Sequence, residues 1–288
     1  MMNKLFITGD IHGEAVQRFS YKNAPELKNL DSSDVVFILG DCGIPFGINH
    51  PGYVINGQKK DLYELNYLLK RPEQYIFLAG NHDDRDAIEK MPRICKYGGI
   101  VRQMMVDDEI YENIVYIDTP QVLTICGQLC LCIPGAKSHD IDFIVDPEEP
   151  GWKLKRKHLR TSGAFFRTKH WDWWENEDVD IDMTYGLLTN NDNVNKHYDF
   201  IFTHDCPSIF VDQGECRYDP TDGENFLDSL RRVLNYDVWC HGHMHVDMQY
   251  PKGSIYNPIT QKEYSGITDK NMFCLYRTIA EAKDLKEI

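Results

Sequence analysis

YIFLAGNHD, residues 75–83, joins five apolar residues to a glycine and then to an amide, an imidazole and a carboxylate. A short run of β-branched and aromatic residues that ends at glycine is typical of a buried β-strand. Four other segments repeat this arrangement: KLFITGDIHG at 4–13, VVFILGD at 35–41, DFIFTHD at 199–205 and DVWCHGHMH at 237–245. In open α/β sheets, ligands bind beyond the carboxyl ends of the strands. Five strands that each end in Asp, His or Asn therefore predict one shared site.

The candidate ligands of this site are two carboxylates, four imidazoles and one amide: Asp10, His12, Asp41, Asn81, His204, His243 and His245. Oxygen donors mixed with imidazole suit first-row ions such as Mn²⁺, Fe²⁺, Co²⁺, Ni²⁺ or Zn²⁺. Seven protein ligands are too many for one such ion. They match two ions that share one carboxylate and keep open positions for water and substrate.

The order GDIHG, GD, GNHD, a single His after a strand and GHMH resembles the calcineurin-like metallophosphoesterases, particularly bacterial and phage members. The combination of GNHD with GHMH is highly specific, and the motifs extend from Gly9 to His245. The resemblance implies an α/β fold in which two mixed β-sheets face each other between helices, a four-layer α/β/β/α sandwich. It also implies a phosphoric ester hydrolase that requires two divalent metal ions.

Carried over position by position, the resemblance assigns the first metal ion to Asp10, His12, Asp41 and His245. It assigns the second metal ion to Asp41 as the bridging ligand and to Asn81, His204 and His243. A metal-bridging hydroxide would attack the phosphorus, while His82 assists the leaving group as an acid or as a cation. We expect Mn²⁺ to support activity, with Fe, Zn, Ni and Co as alternative occupants.

The segment that follows Asp41 departs from one branch of this family. Ser/Thr protein phosphatases continue with a VDRG-like stretch, which supplies an Asp that orients the catalytic His and an Arg that holds phosphate. This chain has Ile44 and Pro45 at the corresponding positions, so the resemblance does not support protein phosphatase activity of that type. The Gly- and Pro-rich loop 42–52 is expected to overhang the site. PGAKS at 134–138 resembles a Gly-Ala-x-Ser element of bacterial and phage relatives.

The histidines outside the ligand set are treated separately. The sequence leaves open whether Asp83, Asp84 or another carboxylate orients the imidazole of His82. A single histidine is more often packed or exposed than a ligand, so six receive no functional role: His50, His139, His158, His170, His197 and His241. Alternation along the strand places His241 in the core or behind the ligands.

Length and charge limit the class of protein. A chain of 288 residues can bury one large α/β core, and we expect a single metallophosphoesterase domain over 1–288 with a charged, Trp-rich insert around 150–186. No run approaches the roughly 20 apolar residues of a membrane span, and no signal peptide is evident, so we expect a cytoplasmic protein without a membrane partner. The net charge of −14 disfavours nucleic acid as the main partner, because nucleic-acid coating requires a broad basic surface. The oligomeric state is left open.

The nine cysteines are expected to be free thiols, since their number is odd and no export signal is evident. Cys126, Cys130 and Cys132 lie in QVLTICGQLCLCI at 121–133. This pattern predicts a β-hairpin in which cysteine serves as a small apolar residue, and it favours that interpretation over a thiolate zinc site.

The insert contains a basic run, WKLKRKHLR at 152–160, which is followed by Arg167 and Lys169. Its simplest interpretation is a solvated loop, and its functional interpretation is a basic rim that recruits phosphorylated substrate. The acidic stretch WDWWENED at 171–178 either pairs with the basic run or anchors the insert on the core through its tryptophans.

Amphipathic patterns predict helices at 59–70 and 224–234, and the tail 278–288 is expected to form a short surface helix. The predicted buried faces consist of Leu62, Leu65, Leu68 and Leu69 in the first helix, and of Phe226, Leu227, Leu230, Val233 and Leu234 in the second. Strands that alternate with helices, together with late hairpins, indicate mixed rather than purely parallel sheets.

Three functions are compatible with the sequence. The first is a metal-dependent phosphatase or phosphodiesterase that acts on a small or medium phosphorylated substrate. The second is a nuclease of the same superfamily, and the third is a non-catalytic scaffold that binds a protein partner. Neither the physiological substrate nor the preference for monoesters or diesters follows from the sequence.

Overall fold

The computed structural model describes residues 3–45, 54–55, 58–213, 218–250, 253–257, 262–267 and 271–287. Its strands, in chain order, are β1 (Leu5–Thr8), β2 (Val35–Ile38), β3 (Val54–Ile55), β4 (Gln58–Lys59), β5 (Gln74–Leu78), β6 (Arg93–Lys96), β7 (Gly99–Val106), β8 (Glu109–Ile117), β9 (Gln121–Ile125), β10 (Gln128–Ile133), β11 (Phe143–Val145), β12 (Phe166–Thr168), β13 (His197–Thr203), β14 (Asn235–His241), β15 (Met248–Gln249), β16 (Gly253–Asn257), β17 (Lys262–Ile267), β18 (Asn271–Cys274) and β19 (Ala280–Glu281). Its helices are α1 (Ala15–Phe19), α2 (Lys60–Leu69), α3 (Arg85–Lys90), α4 (Trp152–Ser162), α5 (Ile181–Thr189), α6 (Asp222–Val233) and α7 (Ala282–Lys286), with 3₁₀ turns at Pro25–Asn29, Asn190–Asn195 and Ser208–Gln213.

Two large mixed sheets contain most of the strands. The seven-stranded sheet has the order β19-β1-β2-β5-β8-β7-β6, and the six-stranded sheet has the order β15-β18-β14-β13-β10-β9. In each sheet four neighbouring strands run parallel, and antiparallel strands complete both edges. The five predicted strands are β1, β2, β5, β13 and β14, and the prediction of mixed sheets is confirmed.

Strand β2 illustrates why its sequence is an uninterrupted apolar run. Val35 and Phe37 point into the core between the two sheets, whereas Val36 and Ile38 point into the core beneath the outer helices. Because both faces of the strand are buried, no position along it favours a polar residue. The rings of Phe37 and Phe202 meet across the two sheets, with their centroids 4.4 Å apart.

Helices cover the outer face of each sheet. Phe19 of α1 and Leu65 of α2 pack against the outer side of the seven-stranded sheet. Leu188 of α5 and Leu227 of α6 pack against the outer side of the six-stranded sheet. The predicted four-layer sandwich is therefore confirmed.

The predicted helices form, but the prediction of which residues they bury was partly wrong. Leu69 is 45% exposed and Val233 is 64% exposed. Helix α2 turns Glu64 inward, where its carboxylate accepts a hydrogen bond from the backbone N–H of Val16 at 2.7 Å. Helix α6 buries the ion pair between Asp228 and Arg231 in the same way. In both helices the buried face includes a polar contact. It therefore differs from the predicted face, which consisted of apolar residues alone.

The C-terminal tail and the basic run also differ from expectation. The tail begins as strand β19, which pairs with β1, and only then forms helix α7, whose Leu285 reaches the core between the sheets. The basic run is not a loop but the eleven-residue helix α4. Its exposed lysines and arginines are compatible with a helix, because straight-chain basic residues have high helix propensity.

The hairpin prediction for residues 121–133 is confirmed. Strands β9 and β10 pair antiparallel, and Cys130 and Cys132 lie in the core between the sheets. The eight cysteines within the described ranges are free thiols. None of the described helices is long and apolar enough to cross a membrane.

We expect Phe202→Ala to lower the free energy of unfolding by about 3–5 kcal/mol, because the substitution opens a cavity between the two sheets. Phe165→Ala is the matched control, since Phe165 is 71% exposed and its loss should change stability by less than about 0.5 kcal/mol. Urea denaturation of both variants measures this difference. Equal stability losses would contradict the assignment of Phe202 to the central core.

Candidate metal centre

The polar segments that end the five predicted strands meet at one edge of the sandwich. Asp10, Asp41 and Asn81 follow β1, β2 and β5 of the seven-stranded sheet, while His204 and His243 follow β13 and β14 of the six-stranded sheet. Because these strands are parallel within each sheet, their carboxyl ends lie on the same side. The centre therefore lies where the two sheets adjoin.

The ligand atoms fall into two groups that share one carboxylate. The first group contains Asp10, His12, Asp41 and His245, and the second contains Asp41, His204 and His243. Within each group all the ligand atoms lie within 4.8 Å of one another. The Asn81 side-chain oxygen lies 3.1 Å from His204 Nε2, beside the second group. Six of the seven candidate residues fall into these two groups and Asn81 lies beside the second, so the assignment of all seven as metal ligands stays a prediction.

One oxygen of each aspartate accepts a backbone hydrogen bond, and in Asp41 this oxygen also lies 3.2 Å from His204 Nε2. Asp41 Oδ1 accepts a hydrogen bond from the backbone N–H of His82 at 2.8 Å, and Asp10 Oδ1 accepts one from the backbone N–H of His243 at 3.1 Å. Within the described part of the chain, Asp41 Oδ2 and His243 Nε2 are buried without a hydrogen-bond partner. Buried polar atoms without partners are costly, so atoms of this kind converging on one point fit a bound cation.

The positions of the imidazole nitrogens also fit a bound cation. His12 Nε2 and His245 Nε2 lie only 3.0 Å apart, and His245 Nε2 is also 3.1 Å from Asp10 Oδ2. His204 Nδ1 lies 2.8 Å from the backbone oxygen of Leu39, which is the contact of an Nδ1–H donor. That tautomer directs the Nε2 lone pair toward the oxygens of Asn81 and Asp41. A divalent ion satisfies such a set of facing lone pairs.

The electrostatic field of the site favours positive charge. Burial opposes charging of His204, yet the carboxylate of Asp41 and then that of Asp10 raise its pKa to about 10. Burial and the neighbouring His204 instead lower the pKa of His243 well below its usual value. The carboxylates therefore favour positive charge beside His204, whereas burial favours the uncharged imidazole of His243, and both conditions suit a bound cation.

Four of the ligands adopt a backbone conformation that L-residues rarely occupy. The φ angles of His12, Asp41, His243 and His245 are 45°, 48°, 64° and 53°. Each such residue costs about 1–3 kcal/mol, a strain that folded proteins concentrate at functional sites. The turns after β1, β2 and β14 thus lower local stability but place candidate ligands in the site.

The glycines in the motifs make room for this packing. A Cβ atom on Gly40 would overlap the His204 ring, and the φ of Gly40 is +104°. A Cβ atom on Gly80 would overlap Asp41 Oδ1 and would lie 2.7 Å from His204 Nε2. Glycine before Asp41 and before Asn81 therefore follows from the close approach of the strand ends.

The PGAKS element contacts the side-chain amide of Asn81. Ser138 Oγ accepts a hydrogen bond from Asn81 Nδ2 at 3.1 Å, which leaves the Asn81 oxygen facing the site. Glu177 in turn accepts a hydrogen bond from the backbone N–H of Ser138 at 2.7 Å. Burial raises the pKa of Glu177 to about 7. The Trp-rich segment is thus connected to a candidate ligand, which the sequence analysis did not anticipate.

His82 lies beside the first group of ligands, with its ring centroid 5.8 Å from that of His12. Neither adjacent carboxylate orients it. Asp83 is occupied by hydrogen bonds from Gly43, Gly80 and Tyr116, and Asp84 caps helix α3. Instead, His82 Nε2 lies 3.5 Å from Nη2 of Arg167 in the insert.

Two cavities border the centre. One of about 180 Å³ is lined by His82, His139, Asp140 and several of the ligands. His139 stacks on Tyr218 and meets His243 edge-on, so a histidine that the sequence analysis left without a role lines the site. The other cavity, of about 480 Å³, adjoins Asp10 and His12.

The remaining histidines lie apart from these cavities or outside the described residues. His241 is buried and contacts the hydroxyl of Tyr250 at 3.0 Å. His170 and His197 pair with aspartates, and His158 is exposed on α4. His50 and the rest of 46–52 lie outside the described ranges, so the expectation that the loop overhangs the site stays a prediction.

The model of the calcineurin-like phosphoesterase family matches residues 4–247. Among solved structures, the chain is similar to phosphopantetheinyl hydrolase from Mycobacterium tuberculosis, with 10% sequence identity and a TM-score of 0.39. That match covers 96% of this chain and 90% of the other. No curated protein sequence matches the chain at a significant level. The family match spans all seven candidate ligands and His82.

Gly80→Ala should weaken Mn²⁺ binding by about 10- to 100-fold, because the added methyl group displaces Asp41 or His204. Gly186→Ala is the matched control, since a Cβ atom there meets nothing within 4 Å and should leave metal affinity unchanged. Calorimetric titration of both variants with Mn²⁺ measures the difference. Wild-type affinity in Gly80→Ala would contradict the close packing described here.

The raised pKa of Glu177 predicts a pH dependence of stability. A carboxyl group whose pKa rises from 4.5 to about 7 on folding favours the folded state when protonated. The protein therefore loses stability as the pH rises from about 4.5 to 7, by about 3 kcal/mol at most. Relative to wild type, metal-free Glu177→Gln should gain stability between pH 5 and pH 8 in urea denaturation. The exposed neighbour provides the control: Glu175→Gln should keep the wild-type pH dependence, and the same slope in both variants would refute the assignment.

Proposed function

The chain belongs to the calcineurin-like phosphoesterase family and is a phosphoric ester hydrolase, and we propose that it hydrolyses small or medium phosphate esters at a dinuclear metal centre. The proposed ligands are the seven residues predicted from the sequence: Asp10, His12, Asp41, Asn81, His204, His243 and His245. Mn²⁺ is the ion proposed to support activity.

The position of Asp41 is the observation that carries this proposal. Its carboxylate belongs to both groups of ligand atoms, and its Oδ2 is buried without a hydrogen-bond partner within the described residues. A carboxylate shared between two groups of donors supports two ions held close together. The buried oxygen without a partner also argues against a scaffold that has lost its metal centre, since such an atom is costly in a fold that makes no use of it.

When bound, two divalent ions lower the pKa of a water nucleophile and neutralise charge on the phosphoryl oxygens. The protein side chains then fix the geometry. Asp10, His12 and His245 hold one end of the centre, and Asn81, His204 and His243 hold the other. The backbone hydrogen bond from His82 to Asp41 ties the candidate catalytic histidine to the shared carboxylate.

His82 is proposed to act on the leaving group. A proton on its Nε2 would pass to the departing oxygen, or its positive charge would stabilise that oxygen. The departing oxygen is proposed to lie in the cavity of about 180 Å³ that His82 lines, and the cavity of about 480 Å³ beside Asp10 and His12 gives room for further parts of a substrate. This room supports a substrate of small or medium size.

Metal-stripped protein should hydrolyse neither p-nitrophenyl phosphate nor its bis ester, and Mn²⁺ should restore activity. His82→Ala should lower kcat by about 10²- to 10⁴-fold while Mn²⁺ binding is retained. His158→Ala, an exposed histidine on α4, is the control and should keep full activity. Ni²⁺, Zn²⁺ and Mg²⁺ are compared in parallel, and the ratio of diester to monoester turnover separates a nuclease-like from a phosphatase-like enzyme.

Three results would overturn the proposal. The first is hydrolysis that persists after the metal has been removed. The second is a protein that binds no Mn²⁺, Ni²⁺ or Zn²⁺ in calorimetric titration, and the third is a metal-loaded protein that hydrolyses neither ester.

A further inference from the structure

The insert brings an arginine to the candidate catalytic histidine. Arg167 lies on β12, which pairs parallel with β11. Its Nη2 is 3.5 Å from His82 Nε2, and it also donates hydrogen bonds to the two carboxylate oxygens of Asp140 at 2.9 and 3.2 Å. The Arg167 side chain is 20% exposed, so it is largely shielded but still reaches solvent.

The segment that follows Arg167 is attached to helix α3 by two side-chain contacts. Trp174 is buried, and its indole N–H donates a hydrogen bond to Asp86 of α3 at 3.1 Å. His170 contacts the same carboxylate at 2.7 Å. Helix α3 begins directly after the GNHD motif, so the insert is attached to the element that follows His82. These contacts attach the segment that follows Arg167 to the helix that follows His82.

Other basic side chains of the insert have different partners. Lys155 pairs with Glu149, Lys169 pairs with Glu175, and Arg156 lies over the ring of Trp171. The cavity of about 180 Å³ that is lined by His82 and Asp140 includes no lysine or arginine among its described lining residues. Arg167 is thus a basic side chain next to this cavity, where it contacts His82 and pairs with the carboxylate of Asp140, both of which line the cavity.

The guanidinium of Arg167 offers only hydrogen-bond donors, and it lies beside the cavity that His82 and several candidate ligands line. A phosphoryl group held in this cavity would bring an oxygen that accepts a hydrogen bond from Arg167. An anionic phosphoryl oxygen is the strongest such acceptor, because hydrogen bonds between charged partners are short and strong.

We propose that Arg167 is a further catalytic residue, which binds a charged oxygen of the phosphoryl group and makes the enzyme prefer phosphate monoesters to diesters. A monoester carries close to two negative charges at neutral pH, whereas a diester carries one. Arg167 binds the second charged oxygen, which a monoester has and a diester lacks. This inference rests on the proposed function, since it concerns the substrate of the same centre.

The test compares Arg167→Gln with wild type on p-nitrophenyl phosphate and on bis(p-nitrophenyl) phosphate, both with Mn²⁺. We expect kcat/KM for the monoester to fall about 100-fold, the magnitude typical of losing one donor to a developing oxyanion. The diester should lose less than about 3-fold, which also shows that the variant folds and binds metal. Arg167→Lys should give an intermediate monoester rate, because lysine keeps the charge but not the planar fork.

Arg160→Gln is the matched control, because Arg160 is an exposed arginine of the same insert. It should leave both rates unchanged. Equal losses on the two substrates in Arg167→Gln would reveal a purely structural role and overturn the proposal. Unchanged monoester turnover would overturn it as well, as would a wild-type enzyme that hydrolyses the diester alone.

Binding of inorganic phosphate separates this inference from the proposed function. Calorimetric titration of the Mn²⁺-loaded proteins should give an affinity about 10-fold weaker for Arg167→Gln than for wild type. If wild type hydrolyses neither ester, the proposed function fails, while the phosphate affinities still decide the role of Arg167. Equal affinities in the two proteins would refute that role.

Discussion

Two buried carboxylates, Asp10 and Asp41, are the constraint on which the site depends. Both side chains are inaccessible to solvent at the junction between the two sheets. Buried carboxylates are stable only when cations or hydrogen-bond donors surround them. Here a backbone N–H group binds one oxygen of each carboxylate. His204 Nε2 lies 3.2 Å from that same oxygen of Asp41, and His245 Nε2 lies 3.1 Å from the other oxygen of Asp10. These donors are held in position by the strand ends, turns and glycines around the two carboxylates.

The backbone around these carboxylates is strained in a consistent way. Ligands at the end of β1, β2 and β14 adopt left-handed φ angles, and glycines precede several of them where a side chain would collide. A strand that simply continued would carry its ligand away from the other sheet. The rigid cores on both sides of each sheet supply the stability that such turns require, since the central strands are buried on both faces.

The Trp-rich insert is connected to this centre at two points. Through Glu177 it holds Ser138 and hence Asn81, and through Arg167 it reaches His82. A segment that looks like a surface addition in the sequence is therefore part of the wall of the site. This arrangement provides a physical route by which changes in the insert alter the reaction while all seven ligands stay intact.

The sequence by itself determined the central strands, the family and the candidate ligand set, because each depends on local patterns: apolar runs that end in glycine, and donors at short fixed spacings. Tertiary structure decided which face of α2 and α6 is buried, since contacts such as Glu64 with Val16 outweigh the apolar stripe. It also decided the roles of His139, Glu177 and Arg167. Arg167 meets His82 across 85 residues of chain, a contact that neither periodicity nor motif spacing encodes. Such contacts arise only when the separate elements pack, because packing alone sets the distance between residues so far apart in the chain.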